Sequence, residues 1–280
     1  MDLILSDIHA DIQALETILD VVTHTTFKEK YGEFSRIINL GDVLERGTHP
    51  KEVLEKLQII SKTHSLESVV GNHDEAFLYK RLVSGSSIES LVAHSYLNQQ
   101  DLEFFEMNKD GTYGKQEFID KKYNLVCVHG GPLDPNKIIP NGSREESWLY
   151  QKSWQRISEE DFEFFSFAGY NYKPSSAFKE VENLFENFII LCGHQHEEAA
   201  IIQTENGPKE ILSELTPSIE KISKFTLEKK EIPIQNNENY IIRVGLGGPE
   251  GYYGIGMAKP HFGIIEYDPK KVILFSINPI

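Results

Sequence analysis

The sequence predicts an α/β protein built on two sheets with helices along their outer faces. Three observations carry that expectation. Short apolar runs stop abruptly at polar, mostly glycine-containing loops, as LIL at 3–5, IINL at 37–40 and LESVV at 66–70 do. Each is followed by apolar residues at helical spacing, a βαβ rhythm that gathers polar residues at the carboxyl ends of strands. The last third, 198–280, loses that rhythm and reads as short alternating runs joined by Gly, Asn and Pro turns.

Taken in order, the strand at 3–5 leads through Ser6-Asp7-Ile8-His9 into a helix over 11–22. Its apolar positions are 12, 15, 18, 19 and 22, and Asp11 is placed to cap it. The strand at 37–40 runs into Gly41-Asp42 ahead of a helix over 50–61. The strand at 66–70 runs into Gly71-Asn72-His73-Asp74 and a further helix. Two more helices, rich in Leu and Phe, are expected between 84 and 107. The strand LVCV at 125–128 delivers His129-Gly130-Gly131, and FIILC at 188–192 delivers Gly193-His194-Gln195-His196. The stretch between them, about 132–185, is the least regular and carries nine aromatic residues from Trp148 to Tyr172. Strands are expected at 240–244, 262–267 and 272–277. No repeat or linker interrupts the pattern, so residues 1–280 read as one domain with an aromatic-rich insertion at 132–185.

Composition narrows the function. The chain has 280 residues, 40% of them hydrophobic, enough to bury a sizeable core. A formal charge of −15 disfavours extended nucleic acid and acidic membrane surfaces, while leaving room for a small positive pocket. Two cysteines, Cys127 and Cys192, exclude a disulfide scaffold and a thiolate metal cluster. The start has no basic segment of signal-peptide type and no apolar run approaches a membrane span, so a cytoplasmic setting is expected.

Five strand ends therefore present Asp7 with His9, Asp42, Asn72 with His73, His129, and His194 with His196. Carboxylate, amide oxygen and imidazole suit a pair of divalent ions such as Mn, Fe, Zn, Ni or Co. A carboxylate shared between ions roughly 3.5–4 Å apart would clamp the attacking and leaving oxygens of an in-line displacement. One D-x-H or one G-N-H-D carries little weight, since a strand-end histidine is usually a hydrogen-bonded one. Five in succession carry a great deal. The spacing indicates two metals and does not name the reaction.

The ordered set Asp7-X-His9, Gly41-Asp42-X3-Arg46-Gly47, Gly71-Asn72-His73-Asp74, His129-Gly130-Gly131 and Gly193-His194-Gln195-His196 resembles the calcineurin-like metallophosphoesterase superfamily. The turn Val244-Gly245-Leu246-Gly247-Gly248 before the final strands is similar to that family's ending. The resemblance implies a four-layer α/β/β/α sandwich. It implies that Asp7, His9, Asp42 and His196 hold one ion and Asp42, Asn72, His129 and His194 the other. It also implies hydrolysis of phosphoric esters or nucleotide anhydrides by a hydroxide between the two ions, with His73 as general acid. In the branch that contains the serine/threonine protein phosphatases and the diadenosine tetraphosphatases, an acid orients this histidine. The matching residue is Glu45, where that branch usually has Asp. Arg46 resembles the branch's phosphate-gripping arginine, so Arg46, Asn72 and His73 are the expected substrate contacts. Arg144, or else Arg156, would stand in for a second arginine.

The expected substrate is a small phosphorylated compound or nucleotide. A serine/threonine-type protein phosphatase and a metal-binding scaffold with little activity are the other readings. The aromatic segment 148–172 either covers the cleft and stacks a flat group, or is the apolar side of helices, for which Phe162 and Phe165 have the spacing. His261 either contacts substrate or belongs to a plain turn. No role is expected for the two cysteines, and oligomeric state is left open.

Overall fold

The computed structural model describes residues 1–81, 85–141, 147–252 and 259–278. The N-terminal part runs β1 (Asp2–Leu5), α1 (Ile12–Thr23), α2 (Thr25–Tyr31), β2 (Arg36–Asn39), α3 (Pro50–Ser61), β3 (Ser65–Ser68), α4 (Asn72–Leu78) and α5 (Ile88–Ser95). The middle part holds β4 (Glu117–Asp120), β5 (Leu125–Val128), α6 (Pro135–Ile138), β6 (Arg156–Ile157), β7 (Phe164–Ser166), β8 (Gly169–Tyr172), α7 (Pro174–Val181) and β9 (Ile189–Cys192). Among the described residues, the regular elements that follow are strands apart from one short 3₁₀ turn. They are β10 (Ala199–Thr204), β11 (Gly207–Glu210), β12 (Ser218–Ile222), β13 (Phe225–Pro233), β14 (Tyr240–Arg243), β15 (His261–Tyr267) and β16 (Lys270–Asn278).

Seven strands form one sheet in the order β12-β13-β16-β15-β1-β2-β3, and six form a second in the order β11-β10-β14-β9-β5-β4. β1 pairs parallel with β2, Leu3 opposite Ile37, and β5 and β14 flank β9 in parallel. Parallel neighbours end on the same side, which puts the loops after β1, β2, β5 and β9 at one edge of the molecule.

Strand alternation sorts the core into layers. Leu3, Leu5 and Ile37 face Leu15, Ile18, Phe27 and Val53 of α1–α3. Ile4 and Ile38, one residue along, pack instead on Leu125, Cys127, Ile189 and Leu191 of the second sheet. Val126, Val128, Ile190 and Cys192 turn outward to Phe178 and Val181 of α7. Helix, sheet, sheet, helix is the resulting order, the expected sandwich. Each fully buried Leu or Ile adds roughly 1.5–3 kcal/mol before chain entropy is counted.

Local chemistry sets the element ends. Asp11 caps α1 by accepting from the Ala14 N–H at 2.9 Å, and Pro50 begins α3. Only one of the two helices expected between 84 and 107 is α-helical; the other is a 3₁₀ turn over Asp101–Phe105. There Asn98 Oδ1 accepts from the Gln100 N–H at 2.8 Å and Asp101 Oδ2 from the Asn98 N–H at 2.9 Å, a turn that competes with helix. The aromatic segment 148–172 holds no α-helix: Trp148, Tyr150 and Trp154 lie in two 3₁₀ turns, Ser147–Tyr150 and Lys152–Trp154. β6, β8 and β7 form a small sheet, with Phe165 opposite Tyr170. Phe162 and Phe167 are exposed, while Tyr150, Trp154 and Tyr172 are buried. Among the described residues, no helix is long and apolar enough to cross a membrane.

Candidate metal centre

The loops at the shared strand edge are held in strained backbone. Among the described residues, seven of the eleven non-glycine residues with positive φ are Asp7, His9, Asp42, Glu45, Arg46, His194 and His196. Left-handed backbone is costly for such residues, and clustering of that cost in one place is typical of functional sites. It persists because the surroundings over-determine it. Asp7 and His9 donate their N–H to the carbonyls of Gly41 and Asp42 at 3.0 and 2.9 Å. Asp74 accepts from the N–H groups of Asp42, Val43, Leu44 and Gly71, all at 2.9 Å. Two glycines permit the close approach: a Cβ on Gly71 would lie 2.0 Å from Asp42 Oδ1, and one on Gly248 would lie 1.7 Å from the Ile8 carbonyl. The Gly247 and Gly248 N–H groups donate to the carbonyls of Ser6 and Asp7, binding the C-terminal turn to the loop after β1.

Out of these loops come two groups of donor atoms. Asp7, His9, Asp42 and His196 form one, with ligand atoms all within 4.8 Å of one another, and Asp42, His129 and His194 form the other. Asp42 belongs to both. His9 Nε2 is 3.3 Å from His196 Nε2 and 3.7 Å from Asp42 Oδ2, and His196 Nε2 is 3.4 Å from Asp7 Oδ1. On the other side His129 Nε2 is 3.1 Å from Asn72 Oδ1 and 3.2 Å from Asp42 Oδ2.

The residues fit a pair of divalent cations on their own evidence. Asp42 Oδ2 and His194 Nε2 are buried with no hydrogen-bond partner, a cost that a cation removes. Leu44 O faces His9 Nδ1 at 3.2 Å and Leu40 O faces His129 Nδ1 at 2.7 Å. Each carbonyl takes an Nδ1 proton and leaves Nε2 open for a metal. Burial holds His9 well below the ordinary histidine range, and burial with Arg156 does the same to His194. Burial pulls Asp42 upward, yet His129, His73 and His9 hold it well below the usual carboxylate range. Neutral imidazole and ionised carboxylate are the forms that bind metal. His129 is the exception: burial lowers it, but Asp42 and Asp7 lift it to about 9, a measure of the positive charge the two carboxylates demand.

Beside the donors, His73 Nδ1 sits 2.8 Å from Glu45 Oε2, both side chains nearly buried. Arg46 Nη2 is 3.4 Å from His73 Nε2, and its guanidinium lies 4.3 Å from the Tyr252 ring centroid. Every metal-ligating residue expected from the sequence, together with His73, Glu45 and Arg46, is thus brought to one place. Arg144 lies outside the described residues. Arg156 donates from Nε to the Ala168 carbonyl at 2.9 Å; burial lowers its pKa while Asp42 and Asp7 oppose that. His261 pairs through Nδ1 with Glu198 at 2.8 Å. Cys127 and Cys192 are free and buried, on opposite faces of the second sheet, with thiols raised by burial.

Sequence reasoning missed three contributors. Asp74 was visible inside Gly71-Asn72-His73-Asp74, but its four backbone donors were not. His94 on α5 gave no signal at all; its Nε2 accepts from the Glu45 N–H at 2.7 Å. Tyr252 follows the glycine turn, and its hydroxyl stands 3.0 Å from His9 Nε2.

Fold and centre together define a metal-dependent hydrolase of phosphoric esters or anhydrides. The chain belongs to the calcineurin-like phosphoesterase family, whose model matches residues 3–198. A metallophosphoesterase from Sphaerobacter thermophilus shares the fold at 21% identity and a TM-score of 0.58, covering 100% of this chain and 87% of that one. A hypothetical protein from Pyrococcus horikoshii OT3 does so at 13% identity and 0.59, covering 100% and 89%. A protein serine/threonine phosphatase from Saccharomyces cerevisiae does so at 13% identity and 0.53, covering 100% and 80%. A search of curated proteins finds no match.

Proposed function

We propose that this chain hydrolyses a small phosphorylated compound or nucleotide, monoester or anhydride, at its two-ion centre. The observation that carries the reading is Asp42 shared between two donor groups, with Arg46 and His73 side by side at their edge. Asp7, His9, Asp42 and His196 would hold one ion, and Asp42, Asn72, His129 and His194 the other. Divalent ions bound there supply positive charge for phosphoryl oxygens and ease the deprotonation of water.

The chain's own residues do the rest. Arg46 offers a planar fork for two phosphoryl oxygens, and its contact with the Tyr252 ring restricts where that fork points. As imidazolium, His73 donates from Nδ1 to Glu45 and carries a second proton on Nε2 that it can give to the departing oxygen. Arg156 adds a second cation within electrostatic reach of Asp7 and Asp42, which supports it as a second arginine at the centre. A positive pocket in a chain of charge −15 favours compact phosphates over long polyanions. Manganese suits the mixed carboxylate, amide and imidazole donors, and two free cysteines suit a reducing cytoplasm. On this reading residues 1–280 act as one domain, and the aromatic segment at 132–185 is an insertion whose buried rings, Tyr150, Trp154 and Tyr172, pack on the core.

The test is hydrolysis by protein reconstituted with Mn, Ni, Zn or Mg. Substrates would be p-nitrophenyl phosphate, its bis-ester, a phosphopeptide and diadenosine tetraphosphate. Turnover of the small monoester or the anhydride is expected. Failure to bind two ions together with no turnover of any substrate would overturn the reading. Selective turnover of the phosphopeptide would replace it with protein phosphatase.

A further inference from the structure

The Tyr252 hydroxyl oxygen is 3.0 Å from His9 Nε2 and 3.4 Å from His196 Nε2, which are themselves 3.3 Å apart. These three atoms form a nearly regular triangle, and Asp7 Oδ1 lies 3.4 Å from one corner. Ligand atoms about 2.0–2.1 Å from a common ion are separated by about 3.0 Å at right angles and about 3.4 Å at tetrahedral angles. All four spacings fall in that range. The Tyr252 hydroxyl therefore stands where a ligand of the same ion would stand.

The position is built. Tyr252 is 9% exposed. Its N–H donates to Pro249 O at 3.0 Å, and the Glu250 N–H donates to Asp11 Oδ2 at 2.9 Å, joining this turn to the cap of α1. Thr48 Oγ1 donates to Glu250 Oε1 at 2.6 Å, and the Arg46 guanidinium covers the ring. Gly251 has φ +82°, and a Cβ there would lie 2.9 Å from the Arg46 carbonyl, so the turn is pressed against the loop after β2.

We propose that Tyr252 is an additional protein ligand of the divalent cation held by Asp7, His9, Asp42 and His196. This rests on the two-ion reading above and deepens it. One ion then has five protein donors and the other, at Asp42, Asn72, His129 and His194, has four. The two ions are inequivalent, the first held more tightly and the second more open to water and substrate.

Tyr252→Phe tests this, because it keeps the ring under Arg46 and removes only the oxygen. Mn²⁺ and Co²⁺ binding would be measured by calorimetry and equilibrium dialysis on the full chain, with the Co²⁺ visible spectrum recorded alongside. The expected result is two binding events in the native chain. In Tyr252→Phe the tighter one weakens about tenfold, the other is unchanged, and the Co²⁺ absorption changes in shape and intensity. Unchanged affinities and spectrum would overturn the proposal. So would tighter binding, the sign expected if the hydroxyl merely hydrogen-bonds to His9 and competes with the ion. A native chain that binds no second ion would sink the two-ion reading itself, a result distinct from two ions bound without help from Tyr252.

Discussion

Glu45 Oε2 lies 2.8 Å from His73 Nδ1, and the Glu45 N–H is itself held by His94 Nε2 at 2.7 Å. A histidine on α5 therefore fixes the backbone of the acid that orients a second histidine at the centre. Glu45 adopts φ +67°, a conformation it would leave without such support. Ser90 O faces His94 Nδ1 at 2.8 Å, taking the other ring proton and leaving Nε2 as an acceptor.

His73→Ala should lower kcat by about 10²–10⁴-fold, the usual contribution of a general acid. Metal content, read by elemental analysis, should stay at two ions, because His73 is in neither donor group. Loss of metal in step with rate would remove the general-acid assignment.

Asp42→Ala should behave differently. It takes away the donor common to both groups, and with it the Oδ1 that accepts from the His73 N–H at 2.8 Å. Both ions and nearly all turnover are expected to go. Retention of either ion at native affinity would contradict the sharing of Asp42.

His94→Leu deletes the acceptor for the Glu45 N–H, whereas His94→Gln restores an oxygen near the same place. The first should reduce kcat about tenfold with KM and metal content little changed; the second should recover most of the loss. In a Glu45→Ala background His94→Leu should cost almost nothing more, because both act through His73. Additive losses would show that His94 serves the fold generally rather than Glu45.

At the opposite end of the strands, Arg36 donates to Asp2 Oδ2 at 2.9 Å and to Asp120 Oδ2 at 2.6 Å, beside Tyr267 stacked on Tyr123. This group borders a cavity of about 640 Å³, remote from the metal centre. Arg36→Met leaves two poorly solvated carboxylates and should destabilise the fold by about 3 kcal/mol, measured by urea denaturation. Burial pulls Asp120 upward, but Arg36 and the N–H groups of Lys122 and Tyr123 outweigh it and hold it below the ordinary carboxylate range. A depressed carboxylate stabilises fully above its unfolded pKa and loses that contribution as pH falls through the folded value. The native chain should therefore lose stability below about pH 4, and the variant should lose less over the same interval.

Much of this molecule is legible along the chain, because the relevant signals are local. The helix over Ile12–Thr23 announces itself by apolar spacing and Asp11, and α3 runs over Pro50–Ser61 as its spacing predicts. The candidate metal donors are legible for the same reason. Parallel strands must end on one side, and each donor follows its own strand within a few residues. Phe162 and Phe165 have helical spacing yet lie outside any α-helix, because the strand partners that place Phe165 in a small sheet are contacts the spacing cannot report.

What the sequence by itself determined is the strand-and-helix order that carries the donors, the donor chemistry and the separation of donors into strand-end loops. Only the tertiary structure decided how closely those donors approach one another and which other residues surround them. Tyr252 is 243 residues from His9, and His94 is 49 from Glu45. No periodicity links such positions. They meet because two sheets pack face to face and the glycine turn before β15 is pressed onto the loop after β1, contacts set by burial and shape rather than by neighbours in the chain.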